Sequence, residues 1–228
     1  MKSLILITVS ALVISAFYNE TDKTEKLKDN SIVKYRLDDK GKKNGPISIT
    51  DPKGTILLSG SFKNGVRTND WYCFDKDGTV ILRYNYTLKK LISLSDKQIA
   101  GLQFRTIDKD EEVIREAQVP VPICGVEQFK ALFVAEFYNQ IPPKQKATKA
   151  NLKGEVTAMI NEKGSVKYFV KYVLEGYEYK TSVDPDTKAF AIEWIPSTYK
   201  DKSYKSEVTF NIDLSIEPST ERRFIWNY

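Results

Sequence analysis

Residues 206–216 read SEVTFNIDLSI, and this stretch is the clearest strand pattern in the chain. Its apolar residues stand at every second position, beginning with Val208, Phe210 and Ile212, and polar residues stand between them. A period of two residues is typical of a strand that has one face in a core and the other in water. We therefore expect residues 206–216 to form a half-buried strand, and the preceding residues to form the sheet that receives it.

The segments before this strand show helical and strand patterns in turn. Apolar residues recur at helical spacing over 126–139. Two alternating runs, 156–160 and 166–172, flank a turn that ends at Gly164 and predict a hairpin. An Asp-Pro pair predicts the start of a second short helix over 184–194. The order helix, strand, strand, helix, strand predicts an α+β fold, in which a small antiparallel sheet carries two helices on one face.

Five features occur in order between about residues 121 and 216. They are a helix before Ile141-Pro142, then Gly154-Glu155-Val156, the turn over 161–166, a helix that closes on Trp194-Ile195-Pro196, and the final alternating strand. This series resembles the carboxyl-terminal domain of the TonB family. In that family a sheet edge near the last strand accepts an extended peptide from an outer-membrane transporter, and main-chain hydrogen bonds hold the peptide.

The resemblance implies a partner-binding edge over residues 205–211. Carried over by position, its partner-binding side chains are Lys205, Glu207, Thr209 and Asn211. The same polar side chains would also form an ordinary solvated face of a strand. An energy-transducing TonB has a membrane-spanning helix with a functional His and a long Pro-rich segment, whereas this chain has no His. We therefore expect a protein-binding or scaffolding protein, with a protein or peptide partner, that is not a motor-coupled transducer.

A different pattern occupies residues 41–87, where two similar units follow each other with a period of about 24 residues. Each unit predicts a β-hairpin with an Asp-x-x-Gly turn, which ends at Gly54 or at Gly78. The segments Phe62-Lys63-Asn64-Gly65, Asp70-Trp71-Tyr72, Phe74-Asp75 and Asp77-Gly78 resemble the variant MORN repeat of YwqK-like proteins. The aromatic residues would form either the core of the hairpin sheet or a ligand-binding face. Some YwqK-like proteins are antitoxin-like, so an antitoxin-type repeat protein is an alternative function.

The amino-terminal sequence predicts export. Met1-Lys2 and the apolar run 4–17 have the charged start and the short hydrophobic core of a secretory signal, and the run is shorter than the about 20 residues that a membrane span needs. An uncleaved anchor and a buried core segment are the alternatives. We expect a signal peptide over 1–18, a flexible leader over 19–40, a linker over 88–118 and a TonB-like domain over 119–228. The expected location is the periplasm or cell envelope of a Gram-negative bacterium.

The composition narrows the possible chemistry. The chain has no His, which removes the commonest general base and the commonest metal ligand, and its two Cys are too few for the usual zinc sites. We therefore expect no cofactor, no metal and no catalytic site. A net charge of +5 without a basic block gives no indication of nucleic-acid binding. A cryptic enzyme that uses carboxylates is the alternative, and Glu175, Tyr177 and Glu178 are close in sequence, although a solvated loop is the ordinary explanation of such residues.

The two cysteines, Cys73 and Cys124, belong to the repeat module and to the start of the second module. In an exported chain an even number of cysteines permits one disulfide, which would join the two modules. Two unrelated buried thiols are the alternative.

Overall fold

The computed structural model describes residues 20–26, 30–141, 153–183 and 192–213. Antiparallel sheets dominate these residues, and three helices accompany them. The predicted α+β class is confirmed in this form, with much more strand than helix. No helix within these ranges is long and apolar enough to cross a membrane. The predicted signal peptide, 1–18, lies outside the described residues.

Seven consecutive strands form the first sheet, and each strand pairs with the next. In chain order they are β1 (Thr21–Lys26), β2 (Ile32–Leu37), β3 (Lys43–Thr50), β4 (Ile56–Lys63), β5 (Val66–Phe74), β6 (Val80–Asn85) and β7 (Lys90–Leu94). All six pairings are antiparallel. This meander needs only short connections, because antiparallel neighbours can be joined by a tight turn.

Three turns of the first sheet repeat one hydrogen-bonding pattern. A side-chain oxygen of Asp38, Asp51 and Asp75 accepts the backbone N–H groups of the residues two and four positions later. The glycine three positions after each Asp has a positive φ, which is +88° at Gly54 and +78° at Gly78. The two predicted turns are therefore confirmed. The turn at Asp38 is a further copy, which the same Asp-x-x-Gly pattern could have revealed.

The first two strands show that the prediction of a flexible leader over 19–40 is wrong. The sequence of β1 is almost entirely polar, and this composition indicated disorder. In the sheet, Arg36 of β2 bonds to Glu20 at 2.7 Å and to Asp22 at 3.0 Å, and Val33 of β2 is fully buried. A polar edge strand is retained here because its neighbour supplies both the backbone partners and the apolar contact with the core.

The prediction of a linker over 88–118 is also wrong. These residues contain β7 and then α1 (Asp96–Ile99), β8 (Leu102–Thr106) and α2 (Glu111–Glu116). The side chain of Gln98 in α1 is buried, and its Oε1 accepts the Val126 N–H at 2.7 Å. That N–H lies in the first turn of the next helix, where the helix itself offers no acceptor. Short elements and specific hydrogen bonds therefore connect the two sheets.

The chain continues through β9 (Val121–Pro122), α3 (Val126–Gln140), β10 (Lys153–Ile160), β11 (Val166–Leu174), β12 (Tyr177–Val183), β13 (Trp194–Ile195), β14 (Ser197–Tyr199), β15 (Lys202–Tyr204) and β16 (Ser206–Asp213). The second sheet has the strand order β12-β11-β10-β16-β8. Helix α3 packs on one face of it, and the Phe129 ring lies 5.5 Å from that of Phe210 and 6.0 Å from that of Tyr168. The predicted first helix, the hairpin and the final strand up to Asp213 are confirmed, and residues 214–216 of the predicted strand lie outside the described residues.

The predicted second helix, 184–194, falls mostly outside the described residues. Trp194, its predicted last residue, belongs instead to the strand β13, which pairs with β9. Its indole N–H donates to the Tyr168 hydroxyl at 2.7 Å, so the buried ring has a polar partner. The helical assignment of Trp194 is therefore wrong.

The two sheets bury their apolar faces in one continuous core. Arg67 of β5 also forms an ion pair with Glu193, which directly precedes β13. The Arg67 guanidinium lies over the Trp71 ring, 4.7 Å from its centroid. The predicted repeat module and the second module are thus joined by apolar packing and by an ion pair.

Candidate partner-binding edge

Three of the four predicted partner-binding residues lie on one face of the second sheet. Glu207, Thr209 and Asn211 occupy alternate positions of β16, and the residues between them are buried on the side of α3. Asn211 is exposed, and the other two side chains are half-buried. Lys205 precedes the strand, and its carbonyl oxygen accepts the Ile107 N–H at 2.8 Å. The structure therefore brings the predicted polar residues together.

The predicted edge over 205–211 is nevertheless wrong, because β16 lies inside the sheet. One side of β16 pairs with β10, and the other side pairs with β8 from Ser206 to Phe210. The main-chain groups of residues 206–210 are therefore already used in the two ladders. The sequence interpretation missed this because β8 comes from the segment that was expected to be a linker.

The free edge on this side of the sheet belongs to β8. Among the described residues, no strand lies beyond it. The bond from the Ile107 N–H to the Lys205 carbonyl makes these two residues a hydrogen-bonded pair. Such pairs alternate along an antiparallel ladder, so Gln103 and Arg105 also direct their backbone groups to β16. Leu102, Phe104 and Thr106 consequently direct their N–H and C=O groups away from the sheet.

Apolar side chains border this edge. Phe104 is 45% exposed, although its cross-strand neighbour Val208 is fully buried. Ile107, just past the end of β8, is 40% exposed, and Ile114 of the adjacent helix α2 is 44% exposed. On the opposite face, Arg105 forms an ion pair with Glu207 at 3.1 Å. Around Phe104 and Arg105 the edge thus presents an apolar side towards α3 and a charged side away from it, and Ile107, opposite Lys205, stands at the end of the charged side.

The carboxyl-terminal end of β8 is packed against other elements. Thr106 is buried, and its hydroxyl lies 2.9 Å from the hydroxyl of Ser197. Ser197 also donates to the carbonyl oxygen of Gln118 at 2.8 Å. These contacts leave the amino-terminal part of β8, around Leu102 and Phe104, as the accessible part of the edge.

The opposite edge of the same sheet, β12, has a different character. Its residue Glu178 forms ion pairs with Lys171 at 2.9 Å and with Lys180 at 3.5 Å. Charged side chains, especially Lys, commonly protect edge strands from pairing with other chains. Of the two edges of this sheet, β8 is therefore the better candidate for accepting a partner strand.

The residues of the alternative carboxylate site do not converge. Glu175 has a φ of +52° in the turn between β11 and β12 and is exposed. Tyr177 and Glu178 are consecutive in β12, so their side chains point to opposite faces of the sheet. In the part of the chain that the structure describes, no three His, Cys, Asp or Glu side chains form a group that could hold a metal ion.

Cys73 and Cys124 are both fully buried, and the structure has them as free thiols rather than as the disulfide that an even count permitted. Burial raises the pKa of the Cys73 thiol to about 12. Burial also raises the pKa of Cys124 well above its ordinary value, and the nearby Cys73 adds to this effect. A thiol reacts with alkylating reagents as the thiolate, so both groups are protected in the folded chain.

We expect the native protein to take up no alkylating mass tag at neutral pH, and the denatured, unreduced protein to take up a tag at each cysteine. The physical reason is that unfolding exposes two free thiols and restores their ordinary pKa. Intact-protein mass spectrometry measures the number of tags. A denatured protein that accepts tags only after reduction would contradict this expectation and would show a disulfide between Cys73 and Cys124.

Protein-family models, curated proteins and solved structures were compared with the chain, and none of them matches it. The resemblances to the TonB carboxyl-terminal domain and to the variant MORN repeat therefore stay predictions from the residues quoted above. Support for a binding role comes from the free edge of β8.

Proposed function

We propose that the chain is an exported cell-envelope protein that binds a protein partner by adding an extended segment of that partner to the edge of β8. The observation that carries this proposal is the outward direction of the backbone groups of Leu102 and Phe104, beside an exposed phenyl ring. A strand that adds to such an edge gains main-chain hydrogen bonds, and its side chains provide the specificity.

The chemistry of the edge defines the partner segment. On the side of α3, Leu102 and Phe104 offer apolar surface to the partner. On the other side, Gln103 and the ion pair of Arg105 with Glu207 offer polar groups. Side chains of a strand alternate between the two faces of a sheet. The fitting partner is therefore an extended segment in which apolar residues alternate with polar residues.

The sequence supports the location that we propose. The apolar run 4–17 after Met1-Lys2 is typical of a secretory signal. We also propose that residues 119–228 form a TonB-like domain with its second helix. The partner of this domain is then a periplasmic or outer-membrane protein. The chain has no His, so we do not assign it the role of a motor-coupled transducer.

The test uses a photoreactive residue at position 104, and the buried position Phe210 serves as the control. In envelope fractions of the producing cells we expect a discrete protein to be captured from position 104 and not from position 210. The captured peptide is then identified by mass spectrometry and synthesised. A photoreactive residue at Phe169, which is exposed on the charged face of the sheet, is a second control. Capture of the same proteins from positions 104 and 169 would argue against edge recognition.

Two substitutions at Phe104 separate the contribution of the backbone from that of the side chain. Phe104→Ala keeps the outward N–H and removes the ring, whereas Phe104→Pro removes both. Proline is tolerated at an edge position whose N–H points away from the sheet, so the pairing with β16 remains. We expect Phe104→Pro to weaken binding of the synthetic peptide about tenfold more than Phe104→Ala does, measured by calorimetry. Equal affinities of the two variants would rule out strand addition at β8.

A further inference from the structure

The outer face of the first sheet, defined as the face turned away from the shared core, carries a continuous row of cross-strand neighbours. Its members come from successive strands, and in order across the sheet they are Thr24, Lys34, Ser48, Ser59, Tyr72, Arg83 and Ser93. The side chains of Ser48 and Ser59 in the middle of this row are short. Lys34 on one side of them and Tyr72 on the other side have long side chains. A row with this profile forms a groove that follows the strand direction.

The groove is visible as a cavity of about 620 Å³. Ser48, Ser59 and Ser61 form its floor, and all three are half-buried. Lys34 and Tyr72 stand on its two sides. The strands β2 and β5 are three strand spacings apart, which corresponds to about 14 Å between their backbones. This width accommodates one extended polymer chain.

The wall formed by β5 and β6 is held in place by its own contacts. Asp70 accepts hydrogen bonds from Arg83 at 2.5 Å and from Asn85 at 2.8 Å. These bonds, above all that of Arg83, hold the pKa of the Asp70 carboxyl below its ordinary value. The Arg83 guanidinium also lies 5.5 Å from the centroid of the Tyr72 ring. Tyr72 and the Phe74 ring, 6.4 Å away, thus form a supported aromatic strip along the wall.

The charges of the groove nearly cancel, because Asp22, Asp70, Lys23 and Lys34 all line it. On one side, Arg36 bonds to Asp22 at 3.0 Å, and on the other side Arg83 bonds to Asp70. A groove whose charges nearly cancel attracts a polyanion or a polycation only weakly over a distance. The floor also offers hydroxyl groups, which can both donate and accept hydrogen bonds. Its backbone groups are already used in the ladders, so a further strand cannot add there.

We propose that this groove binds a neutral oligosaccharide. The ligand hydroxyls pair with the serine hydroxyls of the floor and with the fixed polar groups of the wall, and the apolar face of a sugar ring lies on the ring of Tyr72. Tyrosine suits this contact because its ring is apolar and its hydroxyl is polar. The groove lies on a different sheet from the edge of β8, so this inference does not depend on the proposed strand addition.

The test follows backbone amide resonances of the full chain during titration with neutral hexasaccharides of glucose and of N-acetylglucosamine. We expect millimolar additions of at least one of them to shift the amide signals of Ser59, Ser61 and Tyr72, and to leave those of Leu102 and Phe104 unchanged. Amide signals that do not move with either hexasaccharide would overturn the proposal. Shifts caused instead by an extended peptide, or by a sulfated polysaccharide in low salt only, would assign the groove to another class of ligand.

Matched variants connect the binding to the groove. Ser59→Gln fills the floor without adding charge, and Ser59→Ala leaves the space open. We expect Ser59→Gln and Tyr72→Ala to weaken binding of the active hexasaccharide by about tenfold or more, and Ser59→Ala to weaken it less. Phe169→Ala, on the second sheet, is the control and should bind as the original chain does. Equal affinities of Ser59→Gln and Phe169→Ala, with both variants folded by circular dichroism, would overturn the proposal.

Discussion

Replacing Gly60 by alanine is expected to lower the free energy of unfolding by about 3 kcal/mol, the upper end of the usual cost of overpacking a core. A Cβ at this position would lie 2.3 Å from Cδ2 and 2.4 Å from Cε2 of Trp71. The Trp71 ring is only 1% exposed and is held by edge contacts with Phe62 at 5.3 Å and with Tyr86 at 5.5 Å. The ring therefore has no space into which it can move. Urea unfolding measures the loss.

The neighbouring serines and a double variant provide the controls for Gly60. Ser59→Ala changes the same strand on its other face and should alter stability by about 0.5 kcal/mol or less. Ser61→Ala also removes the hydrogen bond from the Ser61 hydroxyl to the Thr68 carbonyl oxygen and should cost about 1 kcal/mol. In a Trp71→Leu background the smaller side chain removes the clash, and Gly60→Ala should then cost much less than it does with Trp71 present. A Gly60→Ala variant as stable as Ser59→Ala would show that the sheet can relax around the added methyl group.

Replacing Gly164 by alanine is expected to destabilise the chain by about 3 kcal/mol, from two sources. The φ of Gly164 is +79°, a conformation that costs an L-residue about 1–2 kcal/mol. A Cβ would also lie 2.4 Å from the carbonyl oxygen of Trp194, and overpacking of this kind typically costs about 1–3 kcal/mol. That carbonyl belongs to β13, which is paired with β9, so it cannot move as a flexible side chain could.

The turns of the first sheet supply matched controls for Gly164. Asn161 accepts the N–H groups of Lys163 and Ser165, as the Asp residues do in the other turns. Gly54 and Gly78 have similar φ values, but a Cβ at either position would have no other atom within 4 Å. Gly54→Ala and Gly78→Ala should therefore cost only the backbone part, about 1–2 kcal/mol. Equal losses at all three positions would contradict the contact with Trp194.

Much of the candidate site could be inferred from the sequence, but not the identity of the edge. The alternation in residues 206–213 correctly assigned Glu207, Thr209 and Asn211 to one face, because the period of a strand depends only on its own residues. The sequence of β8, LQFRT, does alternate apolar and polar residues, but it is short and its burial does not follow the alternation, because Phe104 is exposed. Its role follows from a pairing partner far away in the chain, which no local pattern indicates.

The local geometry of this protein could be read from short stretches of its sequence. The Asp-x-x-Gly and Asn-x-x-Gly turns, helix α3 and the buried faces of β10, β11 and β16 all follow from short-range preferences of the backbone and from hydrophobic periodicity. The choice of neighbouring strands, in contrast, is visible only in the folded chain. The fold placed the polar β1 in a sheet through its pairing with β2, and it inserted β8 beside β16. The physical reason is that periodicity specifies which side chains of a strand are buried, whereas the choice of neighbour depends on the packing of the whole core.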